Sequence, residues 1–365
     1  MKVYQNELSL KTSGSSVSLS PSHPLPHSRT CEEDTKDDEP STSYRHWKTF
    51  MCIGAFALGL LVFTVVFYAI QESGSSSQTC NGLSELCSKR MNDAIFPMAY
   101  AAHSNLASEV LPAAQEHNLL QQLKTGIRAV DISVWPCKTN SSKACACKQA
   151  CVLGESDLSE LLGQLSSFLA AEKDEVVVAF FRQHVETAVL QQTIVDAGLE
   201  MYAYTAASSV AFQWPTLQQL IDDNKRAVLF ADNANSATYD PTNAVLPWLL
   251  PTYDYCWSST DAAILPSDLT CIPSNGMNGT NKLGIFTYAR TQPAPAISHA
   301  RVLNTKANIQ KGVELCCNAV GVLPNFVSLA WASIDLQHSG ASDASESNTG
   351  IDVVRNLNNQ KCPYK

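Results

Sequence analysis

Beyond residue 80 the chain alternates short, almost continuously apolar runs with stretches whose apolar residues recur every three or four positions. The apolar runs predict strands at residues 95–102, 127–134, 175–181, 226–231, 283–288 and 325–331. Continuous apolarity is what a strand needs when both of its faces are covered. The three-to-four periodicity predicts helices at residues 115–124, 157–171, 187–197, 216–223, 297–308 and 351–357. In the second of these, Leu158, Leu161, Leu162, Leu165, Phe168 and Leu169 share one face. Ser156 and Asp157 offer an N-cap for it. Such alternation predicts an α/β fold with a mostly parallel sheet. Residues 80–365 suit one (β/α)8 TIM-like barrel, which takes about 250 residues. Two or three of its eight strands are not legible, and residues 240–281 read as loop.

One segment breaks the pattern. Residues 50–70, FMCIGAFALGLLVFTVVFYAI, carry no charge and match the roughly 20 residues a membrane-crossing helix needs. Trp47, Phe50, Phe67 and Tyr68 sit near its ends, where interface aromatics belong. A cleaved signal peptide fits poorly, because a long segment precedes the run and no small-residue cleavage site follows. A transmembrane helix is expected over residues 49–71. Arg45 and Lys48 precede it and Glu72 follows, so the positive-inside rule puts the N-terminus in the cytosol: a single-pass type II membrane protein.

Residues 1–46, rich in Ser, Thr, Pro and acids, are expected to be a disordered cytosolic tail. Residues 72–79 form a flexible stalk, and residues 80–365 the extracellular or luminal domain. Eleven of the 13 cysteines lie beyond the span, as an oxidising compartment would favour. Cys80 and Cys87 are expected to bridge across the domain's entry. Cys145, Cys147 and Cys151 have a metal-like spacing but no nearby histidine, so disulfides are expected there too. Eleven external cysteines leave at least one unpaired or paired between chains. Asn140 and Asn278 head N-glycosylation sequons.

The 365-residue chain has a formal net charge of −9, which disfavours a nucleic-acid partner held by phosphate neutralisation. It has no GxSxG elbow, HExxH, Walker loop or GxGxxG. Polar groups do recur just where barrel strands would end, which is where barrel chemistry is done. His103 closes the first strand. Arg128, Asp131 and Ser133 lie in the second, and Arg182, Gln183 and His184 end the third. Asp232, Tyr288, Arg290 and Asp335 follow later strands. Trp135, Trp214, Trp248, Trp257 and Trp331 default to core packing.

These residues resemble the phosphatidylinositol-specific phospholipase C superfamily, nearest its cysteine-rich secreted branch. The resemblance runs from CNGLSELCSKRMNDAIFPMAYAAHSNLAS through LLQQLKTGIRAVDISVW to LPNFVSLAWASID. It implies a phosphoric diester hydrolase acting on a phosphoinositide, a glycosyl-phosphatidylinositol or a related phosphodiester. It further implies that His103 moves the proton of the attacking hydroxyl while a second histidine protonates the leaving group. That second histidine is missing at Cys147-Lys148-Gln149-Ala150-Cys151. Lys148 is at best a proton donor or phosphate contact there, and His184 is the nearest histidine that could replace the acid. Where calcium-dependent members carry a glutamate, this chain has Arg182. No family-type Ca²⁺ site or other cofactor is therefore expected, and Arg182 is read as a phosphate contact. Arg128 is expected to be structural, paired with Asp131 or a backbone carbonyl at the barrel mouth. Asp131 either orients His103 or serves that pair. With half the acid–base pair missing, a degenerate barrel that only binds a phospholipid headgroup is the alternative reading, and a scaffold or adhesion protein a third. The expected partner is a membrane lipid or phosphodiester headgroup.

Overall fold

A computed structural model describes residues 59–60, 62–64, 78–206, 213–233, 247–259, 265–276, 282–288, 296–336 and 349–362. The chain divides into two compact units, Met1–Gly74 and Ser75–Lys365. In the first, residues 59–60 and 62–64 are helical. The rest of the expected span at 49–71, the whole tail at 1–46 and stalk residues 72–77 lie outside the described residues. Among the described residues no helix is long and apolar enough to cross a membrane.

The second unit is a mixed α/β domain built on one curled sheet. Its strands are β1 (Phe96–Ala99), β2 (Ala129–Pro136), β3 (Ala144–Ala146), β4 (Ser156–Asp157), β5 (Val177–Gln183), β6 (Ala227–Asn233), β7 (Leu249–Pro251), β8 (Cys256–Ser259), β9 (Pro273–Asn275), β10 (Leu283–Thr287) and β11 (Phe326–Leu329). The order is β7-β6-β5-β2-β1-β11-β10-β8, with parallel pairing throughout. β3 and β4 extend β2 as an antiparallel flap, and β9 pairs antiparallel with β8. Among the described ladders none joins β7 to β8, so the sheet is an open curl.

The strands have two apolar faces because the curl gives them two surroundings. Val130, Ile132, Val134, Ala179, Phe181 and Leu229 point to the helix layer, against Leu119, Leu123, Leu158, Leu162 and Leu165. Phe96, Met98, Val178, Phe180, Val228, Phe230 and Phe326 fill the inside. Phe180 stacks on Phe230 at 4.9 Å and meets Phe326 edge-on at 5.0 Å. Each such buried side chain contributes about 1.5–3 kcal/mol relative to exposure.

Helix Leu158–Ala171 begins where Asp157 accepts the Ser159 N–H at 2.7 Å. Helix Leu217–Asp222 begins in a Thr216–Gln219 capping box, each side chain bonded to the other residue's backbone. Two expectations are corrected. The helix read to 308 stops at Leu303, and a second helix runs Lys306–Val320, ending at Gly321 in the left-handed region (φ 78°). The loop-like stretch 240–281 contains β7, β8, β9 and the short helix Thr252–Tyr255.

The described residues hold five disulfides: Cys80–Cys87, Cys137–Cys145, Cys147–Cys151, Cys271–Cys316 and Cys317–Cys362. Cys256 is buried and free. Asn140 is exposed, whereas Asn278 lies outside the described residues.

Candidate active site

The site follows from the period of two along the strands. Inside the curl, alternate positions are hydrocarbon up to Met98 on β1, Ala129 on β2, Phe180 on β5 and Phe230 on β6. One step further toward the C-terminal ends, the same face carries Tyr100, Asp131, Arg182 and Asp232. The register sets Ser133 beside Arg182 and Arg182 beside Asp232. The interior thus changes from apolar layers to a charged layer within one repeat of the pleat.

At its centre is an ion pair. Arg182 donates to both oxygens of Asp131, from Nε at 2.8 Å and from Nη2. The Asp131 side chain is 4% exposed and that of Arg182 is 42% exposed, so the carboxylate lies below a guanidinium that reaches solvent. Asp131 also accepts the Ala101 N–H at 3.3 Å. Arg182 lies 5.5 Å from the centre of the Tyr100 ring. Burial pushes the Tyr100 phenol up to about 12, with Arg182 opposing.

His103 follows β1 on a turn that begins at Ala101 (φ 44°). The residue is 1% exposed, and neither ring nitrogen has a hydrogen-bond partner among the described residues. Burial pushes its pKa down to about 4. The Asp131 carboxylate opposes that shift, while Lys148 and Arg182 reinforce it. The imidazole is therefore neutral at physiological pH, and burial disfavours its charged form.

Lys148 enters from the flap. The Cys147 N–H donates to the Ser133 carbonyl at 3.1 Å, which fixes the flap on the C-terminal end of β2. Lys148 Nζ donates to the Pro112 carbonyl at 2.7 Å, and Ser104 Oγ lies 2.7 Å from the same oxygen. Asp232 accepts the Gln183 N–H at 3.0 Å, and burial raises its pKa to about 6. Burial likewise raises Tyr253, which has Asp232, Arg182 and Asp131 within electrostatic range.

Of the residues expected from sequence, His103, Asp131 and Arg182 are brought together. His184 is not part of this group. Its ring stacks on Trp135 at 3.6 Å, and Arg182 is the charge acting on it among the described residues. For Arg128 the structural role with backbone carbonyls holds, while its pairing with Asp131 and its place at the mouth are corrected. It pairs with Glu175 at 2.6 Å, not with Asp131, and donates to the carbonyls of Leu123 and Ile127. It precedes β2 and so lies at the opposite end of the strands from the mouth. Arg128 stands before the first residue of β2, whereas Asp131 stands within it on the inner face. Tyr288 is buried and donates to the Leu303 carbonyl at 2.5 Å, a structural contact. Arg290 lies outside the described residues. Tyr100 and Tyr253 escaped the sequence pattern, whereas that pattern already marks Asp232 as following a strand. Continuing the inward register one step past Met98 and Phe230 would have reached Tyr100 and Asp232.

A Ca²⁺ cage needs several oxygen ligands. Here the guanidinium of Arg182 covers both oxygens of Asp131, and among the described residues no three His, Cys, Asp or Glu side chains converge. The residues do not fit a calcium site.

The family model PI-PLC X 1 matches residues 86–342. PI-PLC X domain-containing protein 1 of Arthroderma benhamiae is 26% identical over 213 residues, covering 56% of this chain and 64% of the relative. A protein of the same fungus described as an uncharacterized secreted protein is 25% identical over 194 residues, covering 51% and 41%. The chain thus spans less than two thirds of either relative. Two mutant forms of phosphatidylinositol-specific phospholipase C from Staphylococcus aureus superpose with TM-scores of 0.46 and 0.44 at 11% identity. They cover 77% and 76% of this chain and 98% and 94% of theirs.

Proposed function

Because this chain belongs to the PI-PLC X family, we propose that it is a phosphoric diester hydrolase that cleaves a phosphoinositide, a glycosyl-phosphatidylinositol or a related phosphodiester. The reading is carried by the charged layer that closes the interior of the curled sheet, where Asp131, Arg182 and His103 meet. In this reading the sheet is an irregular (β/α)8-type barrel and the substrate phosphate docks on the exposed edge of the Arg182 guanidinium. Asp131 holds that guanidinium in place, and His103 takes the proton of the attacking hydroxyl. A neutral imidazole suits that task, and a fixed cation stabilises charge developing on the phosphoryl oxygens.

The apolar run at 50–70 supports an anchor in a membrane, and the disulfide-rich domain together with a secreted relative supports an extracellular or luminal location. The substrate is then the headgroup of a membrane lipid.

A second reading is favoured by one observation: His103 is enclosed, with both ring nitrogens unpartnered. In that reading the domain binds a phosphorylated headgroup through Arg182 without turnover. The two readings separate when the full-length chain is mixed with phosphatidylinositol vesicles, with and without chelator, and soluble inositol phosphate is measured. Release that is lost in His103→Ala supports the hydrolase. Saturable binding with no release supports the binding module.

A further inference from the structure

Lys148 stands in the same mouth as His103 and Arg182, yet among the described residues no carboxylate lies within ion-pair distance of it. Its single described partner is the Pro112 carbonyl, so two of its three N–H groups remain for an incoming acceptor. The groups facing it are Asp131 on β2, Arg182 on β5, His103 beyond β1, and the Tyr100 ring, whose centre is 5.8 Å away. A half-buried ammonium beside a guanidinium is electrostatically unfavourable, and the backbone that holds it there is itself strained. The loop closed by Cys147–Cys151 carries three consecutive non-glycine residues in the left-handed region: Gln149 (φ 46°), Ala150 (φ 54°) and Cys151 (φ 63°). Strain of this kind persists only where the surroundings over-determine it, and it concentrates at functional sites.

We infer that Lys148 is the acid of the proposed reaction and delivers its proton to the departing alkoxide. The inference rests on the hydrolase reading. A hydroxyl attacks phosphorus and its proton passes to His103. The bond between phosphorus and the lipid alcohol oxygen breaks, and one Nζ–H proton of Lys148 moves to that oxygen. The products are a phosphate ester of the attacking oxygen, the free lipid alcohol, a protonated His103 and a neutral Lys148 amine. The proton held by His103 returns to the amine through solvent, which restores both groups without any change of oxidation state. Burial lowers the Lys148 pKa to about 8, so it yields a proton more readily than a surface lysine.

An alkoxide leaves poorly without a proton, whereas a nitrophenolate leaves unaided. The full-length chain and its Lys148→Met and Lys148→Arg variants are therefore assayed on phosphatidylinositol and on a nitrophenyl phosphodiester of the same inositol headgroup. Lys148→Met is expected to lose about 100-fold or more on the lipid, the scale of general acid catalysis, and far less on the nitrophenyl ester. Lys148→Arg is expected to fail in the same way, because a guanidinium keeps its proton. Lipid turnover by Lys148→Arg near the unsubstituted rate overturns the inference in favour of a charge-only role. Equal loss on both substrates overturns it in favour of a structural role. If the unsubstituted chain turns over neither substrate, the hydrolase reading falls and takes the inference with it. If both are turned over and Lys148→Met is unaffected, the inference alone falls.

Discussion

Arg182 grips both carboxylate oxygens of Asp131 at the point where the interior of the sheet turns from hydrocarbon to charge. The pair is lopsided, since the carboxylate is buried and the guanidinium is partly in water. Removing Arg182 therefore strands a buried charge, while removing Asp131 leaves a cation that solvent can still reach. Arg182→Ala is expected to destabilise the chain by about 1–3 kcal/mol, less than a fully buried pair because of solvent screening. Asp131→Asn should cost less. Denaturant unfolding of the two variants checks the order.

Acid stability should report His103 and Asp232 with opposite signs. The His103 pKa is about 4 in the folded chain against an ordinary 6.5, so the unfolded chain binds the extra proton and stability falls as pH drops through that window. The Asp232 pKa is raised from 3.8 to about 6, so its ionised form costs stability above that range and the cost lifts on acidification. The two contributions offset one another in the unsubstituted chain. His103→Ala should gain about 2 kcal/mol relative to it between pH 7.5 and pH 4.5, at roughly 1.4 kcal/mol per pKa unit. Asp232→Asn should instead lose ground over the same interval. Urea midpoints at the two pH values test both signs.

Much of the fold was readable because the strands are apolar on both faces and Leu158–Ala171 keeps a clean helical stripe. The mouth was readable only where a polar residue followed an apolar run directly, as His103, Asp131 and Arg182 do. Arg128 misled because it immediately precedes the strand that carries Asp131, at the end away from the mouth. β7 to β9 escaped because each is three or four residues long and lacks a pattern of its own. Helix Lys306–Val320 escaped because two of its inward positions are Cys316 and Cys317, which read as cross-links and not as a hydrophobic stripe. A third is Gly312.

Gly312 gives that helix a direct test. A Cβ there would come within 2.7 Å of the Phe286 ring, which is buried and packed edge-on against Tyr288 at 5.5 Å. Alanine improves helix propensity by about 1 kcal/mol, but overpacking costs about 1–3 kcal/mol. Gly312→Ala is expected to lower the thermal midpoint, and scanning calorimetry will show the sign.

The flap gives another. If the Cys147–Cys151 loop aims Lys148, then Cys147→Ala/Cys151→Ala should reproduce the selective loss on poor leaving groups expected for Lys148→Met. Rates on the lipid and the nitrophenyl ester, measured side by side, check it.

The most direct test of the charged layer as a phosphodiesterase site is phosphorus NMR of phosphatidylinositol vesicles incubated with the full-length chain, with His103→Ala in parallel. The account predicts a growing inositol phosphate signal that falls about 100-fold or more when the imidazole is removed, as expected for loss of a general base. An equal signal from both proteins, or a headgroup that binds and stays intact, contradicts it.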